Sequence, residues 1–241
     1  MKCIILAAGY ATRLYPLTEN FPKPLLPVGG KPILDWLIED IALDAEEVIT
    51  VTNHKFAGHF QEWSEGKKKI RVIDDGTMTN EGRLGAVKDI QIAATEKTDY
   101  LVMAGDNVLD FSLRPFIRYA QEKGTSCVMC HDETRIEALR KTAVITIDGD
   151  GRITTYEEKP REPKGQLAVP PFYYYRAEDI GRIAEALEDG CGYDAPGSFA
   201  AWLSSKVTMH AWKMSGKRHD IGDMKSYLKV RDSYMELREI Q

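Results

Sequence analysis

The chain has 241 residues, 43% of them apolar and 29% charged, and carries a net charge of −5. That composition suits a globular domain with a sizeable core, and scattered positive charges on an acidic chain argue against nucleic acid as the main partner. No stretch approaches the ~18 apolar residues of a membrane-spanning helix, and Met1-Lys-Cys-Ile-Ile-Leu6 is too short for a signal peptide, so the expected compartment is the cytoplasm.

The run Cys3–Leu6 reads as a buried strand. It feeds a loop of small residues, Leu6-Ala-Ala-Gly-Tyr-Ala-Thr-Arg-Leu14, that continues to Lys23. Pro16, Pro22, Pro24 and Pro27 forbid a regular helix across most of it. α/β proteins hold phosphate in this way: small residues let backbone N–H groups approach the oxygens, and cations such as Arg13 and Lys23 neutralise charge. A merely basic surface loop is the competing reading, and a Gly turn alone does not decide between them.

The next elements alternate. A helix runs from Pro32 to about Leu43, with Ile33, Leu37, Ile38 and Ile41 as its apolar stripe. Glu47–Thr52 is a strand, His54 to about Trp63 a helix, and Ile70–Ile73 a strand. Asp74–Arg83 is a polar loop before a helix from Leu84 to about Thr95. The strand Tyr100–Ala104 stops at Gly105-Asp106-Asn107. Such alternation predicts an α/β fold: a Rossmann-like, doubly wound, mostly parallel sheet with helices on both faces. In the strand order 3-2-1-4, the first and fourth strands are neighbours, so their carboxyl-end loops open into one crevice. Asp106 is thereby expected beside the phosphate-holding loop. Its competing reading is an ordinary turn residue.

Beyond Ser112, which caps a helix to about Lys123, Ser126–His131 is a strand. Ala143–Asp148 and Arg152–Glu157 flank a hairpin turn at Gly149-Asp-Gly151. Glu157-Glu158-Lys159-Pro160 then leads through a loop to a strand, Leu167–Tyr175, broken by Pro170-Pro171. Ala177–Glu188 and Pro196–Ser204 read as helices and Val207–Lys213 as a strand. Arg218-His219-Asp220-Ile221-Gly222-Asp223 opens a last amphipathic helix to about Arg238, with Asp223 as its cap. With no repeat or linker, residues 1–241 are expected to form one domain, with a nucleotide half over 1–124 and an acceptor half over 125–241. Cys127-Val-Met-Cys130-His131 formally matches a haem-attachment motif. On a strand, however, residues three apart face opposite sides, and no second pair completes a zinc site. Cys3, Cys127, Cys130 and Cys191 are read as buried core thiols.

Leu6-Ala7-Ala8-Gly9, Thr12-Arg13-Leu14 and Pro22-Lys23-Pro24-Leu25 together resemble the signature of the sugar-phosphate nucleotidylyltransferases. The likeness covers nearly the whole chain and is nearest to the short thymidylyl- and uridylyltransferase branch. The family usually has a second glycine where this chain has Ala11, and alanine penalises positive φ. The resemblance implies the nucleotide-diphospho-sugar transferase fold and a magnesium-dependent enzyme. A nucleoside monophosphate passes from a nucleoside triphosphate, dTTP or UTP favoured, to a sugar 1-phosphate, and pyrophosphate leaves. It implies Asp106 and Asp220 as Mg2+ ligands, Arg13 on the β and γ phosphates, and Lys23 near the α-phosphate. Nucleotide binding falls to Leu6, Ala7, Ala8 and Gly9 and to the loop Thr77–Gly85, which keeps the family's Gly82. On the acceptor side it implies Glu158 for hydroxyls, Lys159 for the phosphate, and Val169. The attacking phosphate has its second pKa at about 6 and needs no general base, and none of the five histidines sits in a nucleophile–base pattern. Catalysis is then positioning and charge neutralisation. Family members commonly form homo-oligomers, which the resemblance extends to this chain.

Three departures bear on substrate. The family's base-reading Gln is absent from the loop Thr77–Leu84. Its Tyr-Gly-Val-Val is Thr142-Ala-Val-Ile145 here, and its Val-Thr/Ser-Gly is Val169-Pro170-Pro171. Glycines that let a sugar lie against backbone have become alanine and proline, and proline also lacks an N–H. The alternatives are a cytidylyltransferase acting on a small phosphorylated alcohol, and a non-catalytic nucleotide-sugar-binding regulatory protein. Intact Arg13, Lys23, Asp106, Lys159 and Asp220 oppose the latter. A dinucleotide-dependent oxidoreductase is opposed by Gly9-Tyr-Ala11, which does not complete Gly-x-Gly-x-x-Gly.

Overall fold

A computed structural model describes residues 1–238. β1 (Lys2–Leu6) is the expected apolar run, with Cys3, Ile4 and Ile5 fully buried. The proline-rich stretch forms two one-turn helices, Thr12–Leu14 and Lys23–Leu25, since its prolines leave no longer run of backbone donors. β2 (Pro27–Val28) and β3 (Lys31–Pro32) then make a small antiparallel pair. The alternation continues as α1 (Ile33–Ile41), β4 (Glu47–Thr52), α2 (Ala57–Ser64), β5 (Ile70–Asp74), α3 (Ala86–Ala93) and β6 (Tyr100–Ala104). After β7 (Asn107–Leu109) come α4 (Arg114–Lys123), β8 (Cys127–Asp132), α5 (Ile136–Leu139), β9 (Ala143–Ile147) and β10 (Ile153–Glu158). β11 (Leu167–Val169), β12 (Phe172–Tyr175), α6 (Ala177–Ile180), α7 (Ile183–Glu188), α8 (Gly197–Ser204), β13 (His210–Lys213), β14 (Arg218–Asp220) and α9 (Met224–Arg238) complete the order.

The chain forms two compact units, each assembled from separate segments. The first joins Met1–Ile4, Leu84–Met103 and Arg114–Ser215. Its strands lie in the order β10-β9-β11-β8-β12-β6-β1, with β13 also on β8. The pairings from β10 through to β6 are antiparallel, while β13 runs parallel to β8. The second joins Ile5–Arg83, Ala104–Leu113 and the segment from Gly216. There the end of β1 is followed by β4 and β5, and β4 pairs with β5 in parallel from Val48↔Ile70 to Thr52↔Asp74. The order β5-β4-β1-β6 is the doubly wound order expected. The sheet is mixed because the short turn at Gly149–Gly151 makes β9 and β10 an antiparallel hairpin, and because β11 and β12, on either side of the double proline, both run against β8.

Several boundaries differ from expectation. The helix expected over Ala177–Glu188 is two, α6 and α7, with Gly181 ending the first. β13 starts at His210 rather than Val207. β2, β3, β7 and β14 are only two or three residues long, too short to carry a period. Cys3, Cys127 and Cys130 are buried and unpaired, but Cys191 is half-buried, a correction to its reading as a core thiol. Burial pushes the Cys127 and Cys130 thiols up to about 11, so neither is an active nucleophile. Among the described residues no helix is long and apolar enough to cross a membrane.

In the second unit one apolar cluster sets the geometry of the loops around it. Leu14, Leu26, Val28, Ile33, Val108, Ile221, Tyr227 and Val230 pack together, and the Tyr227 hydroxyl donates to the Pro27 carbonyl at 3.0 Å. Burying several such side chains, at about 1.5–3 kcal/mol each, fixes the backbone next to Arg13, Asn107 and Asp220.

Candidate active site

The second unit holds a cavity of about 240 Å³ lined by Leu6, Ala7, Gly9, Ala11, Arg13, Lys23, Asp106 and Gly222, with Leu14, Pro24 and Ala104. Its floor is the end of β1. Ala7 N–H donates to the Val51 carbonyl at 2.8 Å, which carries the loop out from the sheet. Gly105 N–H donates to the Leu6 carbonyl at 3.0 Å, which draws Asp106 to the same place. A Cβ on Gly105 would lie 2.9 Å from Ile5 Cγ2, so only glycine allows this approach.

The loop is strained at one residue. Ala11 sits at φ 47°, ψ 41°, in the left-handed region, and starts the turn that carries Arg13. Its carbonyl is held by Leu14 N–H at 2.9 Å and by the Thr18 hydroxyl at 2.8 Å, and Thr18 is fully buried. Leu14 is buried in the apolar cluster while its neighbour Arg13 is exposed, so the guanidinium faces outward to the cavity.

Lys23 is the buried cation. Its residue is 7% exposed, and Nζ donates to Asp106 Oδ2 at 2.6 Å. Asn107 Nδ2 donates to Asp106 Oδ1 at 2.9 Å, and Arg218 Nη1 donates to Asn107 Oδ1 at 2.6 Å. Asp220 pairs with Asn107 in the β14–β7 ladder, and its Oδ2 lies 3.9 Å from Arg218 Nη1. Both carboxylates expected as metal ligands therefore stand at one end of this ladder. Asp223, at the start of α9, accepts from Ser226 N–H at 2.8 Å. That bond, the Ser226 hydroxyl and the nearby Arg13 charge hold its carboxyl below the ordinary range, as a helix cap requires.

Other expected residues fall elsewhere. Ala8 offers its carbonyl to Asn53 Nδ2 at 2.9 Å. Gly82 does not line the cavity; its N–H donates to Thr79 Oγ1 at 3.2 Å. In the loop after β5, Asp75 Oδ1 accepts from Thr77 N–H and Oγ1 at 2.7 Å, and Thr77 Oγ1 lies 3.4 Å from the Tyr10 hydroxyl. Asp75 Oδ2 is buried without a partner, and burial pushes this carboxyl up. Glu158, Lys159 and Val169 belong to the first unit. Glu158 Oε2 is buried without a hydrogen bond, and burial pushes its carboxyl up, partly offset by Lys159. Val169 is buried, with its carbonyl taken by the Thr142 hydroxyl at 3.0 Å.

Three positioning residues escape a reading of the sequence. Asn53 is fully buried; it holds Ala8 through Nδ2 and accepts from Phe56 N–H at 3.0 Å through Oδ1. An Asn between a strand and a helix does signal a cap, but not the second bond across to the loop. Asn107 and Arg218 meet through a side-chain bond across the short β14–β7 pairing, which leaves no local trace.

Residues 2–236 match the nucleotidyl transferase family. The chain is 27% identical over 241 residues to a UTP–glucose-1-phosphate uridylyltransferase of Synechocystis sp., covering 94% of this chain and 61% of that relative. It is 26% identical over 224 residues to the UTP–glucose-1-phosphate uridylyltransferase AglF of Haloferax volcanii, covering 92% and 91%. The chain thus spans about three fifths of the Synechocystis relative and nearly all of the Haloferax one. A solved UDP-glucose pyrophosphorylase, complexed with UDP-glucose, has the same fold: TM-score 0.81 at 21% identity, over 98% of this chain and 99% of that one. With a match that runs from β1 into α9, the chain belongs to the nucleotidyl transferase family.

Proposed function

We propose that the protein transfers a nucleoside monophosphate from a nucleoside triphosphate to a sugar 1-phosphate in the cytoplasm, releasing pyrophosphate, with dTTP or UTP as the favoured donor. The observation that carries this reading is the common cavity of Arg13, Lys23 and Asp106 with the small-residue loop Leu6–Gly9. A triphosphate needs close backbone approach and fixed cations, and this cavity offers both.

Asp106 and Asp220 would hold a magnesium ion. Magnesium asks for one or two protein carboxylates and leaves its other positions to phosphate and water. The donor set fits that demand, since two carboxylates, Asp106 and Asp220, come to one end of the β14–β7 ladder, with Asp220 opposite Asn107. When bound, the ion would offset charge on the phosphates. The chain's own residues do the rest. Arg13, exposed at the cavity, neutralises the β and γ phosphates where charge accumulates on the leaving pyrophosphate. Lys23, already fixed within the cavity, exchanges its bond to Asp106 for one to the α-phosphate. Glu158 and Lys159 orient the acceptor. No proton needs to be removed from the attacking oxygen, because a phosphate monoester is largely ionised at neutral pH.

One observation favours a smaller acceptor as the second reading. The Val169 carbonyl is consumed by Thr142 Oγ1, and Pro170 has no N–H, so this edge offers a sugar few backbone partners. The test is pyrophosphate release with magnesium across the four ribonucleoside triphosphates and dTTP. Each is paired with hexose, amino-sugar and small-alcohol phosphates, and Asp106→Asn is the control. Release in one pairing, lost in Asp106→Asn, supports the reading; binding of nucleotide with no release from any pairing overturns it.

A further inference from the structure

In the first unit Lys159 stands at φ 47°. A bulky side chain in the left-handed region is strained, and such strain collects where a side chain must be aimed. The backbone there is pinned by Lys159 N–H to the Thr142 carbonyl at 3.2 Å. The chain then turns through Pro160 and closes on Arg140, whose Nε donates to the Arg161 carbonyl at 3.0 Å. The result is an open cavity of about 390 Å³ walled by Arg140, Lys159, Pro160, Arg161 and Glu162. Three cations thus converge on one concavity against a single lining carboxylate. Arg140 also donates through Nη1 to Glu137 at 2.9 Å, but that carboxylate is exposed and its hold is weak. Nη2 of Arg140 remains for a ligand. Gathering like charges in one bowl is unfavourable in the absence of an anion.

We propose that Arg140 and Arg161 join Lys159 in gripping the phosphate of the acceptor, held as its dianion. This rests on the reading of the chain as a transferase to a phosphorylated acceptor. The charges match: three cations and Glu162 leave a surplus of two, and a phosphate monoester carries about −1.5 to −2 at neutral pH. The shapes match as well, since guanidinium forks pair with phosphate oxygens two at a time. Arg140 and Arg161 add to Lys159 the directed contacts that an ammonium cannot make.

The probe is inorganic phosphate, titrated into the full chain by calorimetry at low salt. The double variant Arg140→Gln/Arg161→Gln is expected to weaken phosphate binding at least tenfold, with an unchanged melting temperature. Arg140→Lys/Arg161→Lys keeps the charge, and is expected to recover only part of the affinity. Arg13→Gln, in the other cavity, is expected to leave this phosphate binding in place. In turnover, the Gln pair should raise the acceptor KM at least tenfold and leave the triphosphate KM alone. Phosphate binding within twofold of the parent in the Gln pair, or no phosphate binding to the parent, overturns the proposal. The two readings fail separately: phosphate binding lost in the Gln pair without pyrophosphate release from any acceptor leaves the anion site standing and removes the reaction, whereas turnover with an unaltered acceptor KM does the reverse.

Discussion

Lys23 donates to Asp106 at 2.6 Å while Asn107 occupies the other oxygen of the same carboxylate. The lysine side chain is 8% exposed and the aspartate 36%, so the two partners depend on each other unequally. Removing the carboxylate charge leaves a buried ammonium uncompensated, whereas removing the amine leaves a half-open carboxylate that still has Asn107. Asp106→Asn is therefore expected to cost about 2 kcal/mol of stability and Lys23→Met about 1 kcal/mol or less. Both should lower pyrophosphate release by about 100-fold or more. Denaturant titrations and the release assay, run side by side, check the order of stabilities and the common loss of activity.

Ala11 adopts a conformation that costs an L-residue about 1–2 kcal/mol and costs glycine little. Ala11→Gly is expected to stabilise the chain by about 1 kcal/mol, with the glycine's larger freedom in the unfolded chain taking back part of the gain. Its bonds to Leu14 and Thr18 use the Ala11 carbonyl, which glycine keeps. Urea unfolding measures the change; a loss of stability would show that the turn is not under strain.

Asn53 makes its two bonds in a fully buried place. Asn53→Ala removes both and strands the Ala8 carbonyl, at about 1–3 kcal/mol, while the Phe56 N–H keeps its 3.2 Å bond to the backbone carbonyl of residue 53. Because Ala8 lies in the small-residue loop, affinity for the triphosphate should fall with stability. A calorimetric titration with UTP or dTTP reads the first and thermal melting the second.

Burial pushes the Glu158 carboxyl above its ordinary value, with Lys159 opposing. A raised carboxyl means the folded chain keeps a proton that the unfolded chain releases. Stability from this group is complete below the unfolded value, falls as pH rises from there through the raised one, and stays reduced above it. Glu158→Gln is expected to melt near the parent at pH 4 and above it at pH 8. Gly197 gives a second handle, since a Cβ there would stand 2.1 Å from Glu158 Oε2. Gly197→Ala must displace that carboxylate; it should raise the acceptor KM about tenfold, equivalent to about 1.4 kcal/mol, and leave the triphosphate KM unchanged. The shorter Glu158→Asp, combined with it, should recover part of the loss.

How much of the molecule is legible in its sequence depends on how local each signal is. β1 and the loop after it are legible because apolar run, small residues, cations and prolines all fall within the stretch Cys3–Val28. The stop of β6 at Ala104, just before Gly105-Asp106, is legible because strand and turn chemistry meet there. The strand order β5-β4-β1-β6 comes from alternation alone. The antiparallel links among the later strands are only half visible: the hairpin turn at Gly149–Gly151 is, but the return of β12 between β6 and β8 is not. Arg140 escapes notice because its partner is the backbone of Arg161, twenty-one positions on, and a side-chain-to-carbonyl bond leaves no mark on residue spacing. Asn107 and Arg218 are a longer case, a bond between two side chains 111 positions apart.

The route of the chain through the second unit has a consequence for synthesis. Its cavity wall and Asp106 are made early, but β14 and the Ile221, Tyr227 and Val230 side chains that pack on Leu14 and Val28 come only with the segment from Gly216. A polypeptide still on the ribosome therefore has Arg13, Lys23 and Asp106 in hand long before it has Asp220. The proposed site is complete only when the segment from Gly216 has paired with β7 and packed on Leu14 and Val28. On the proposed reading, a chain that ends before Gly216 carries Arg13, Lys23 and Asp106 without Asp220, and it is expected to release no pyrophosphate.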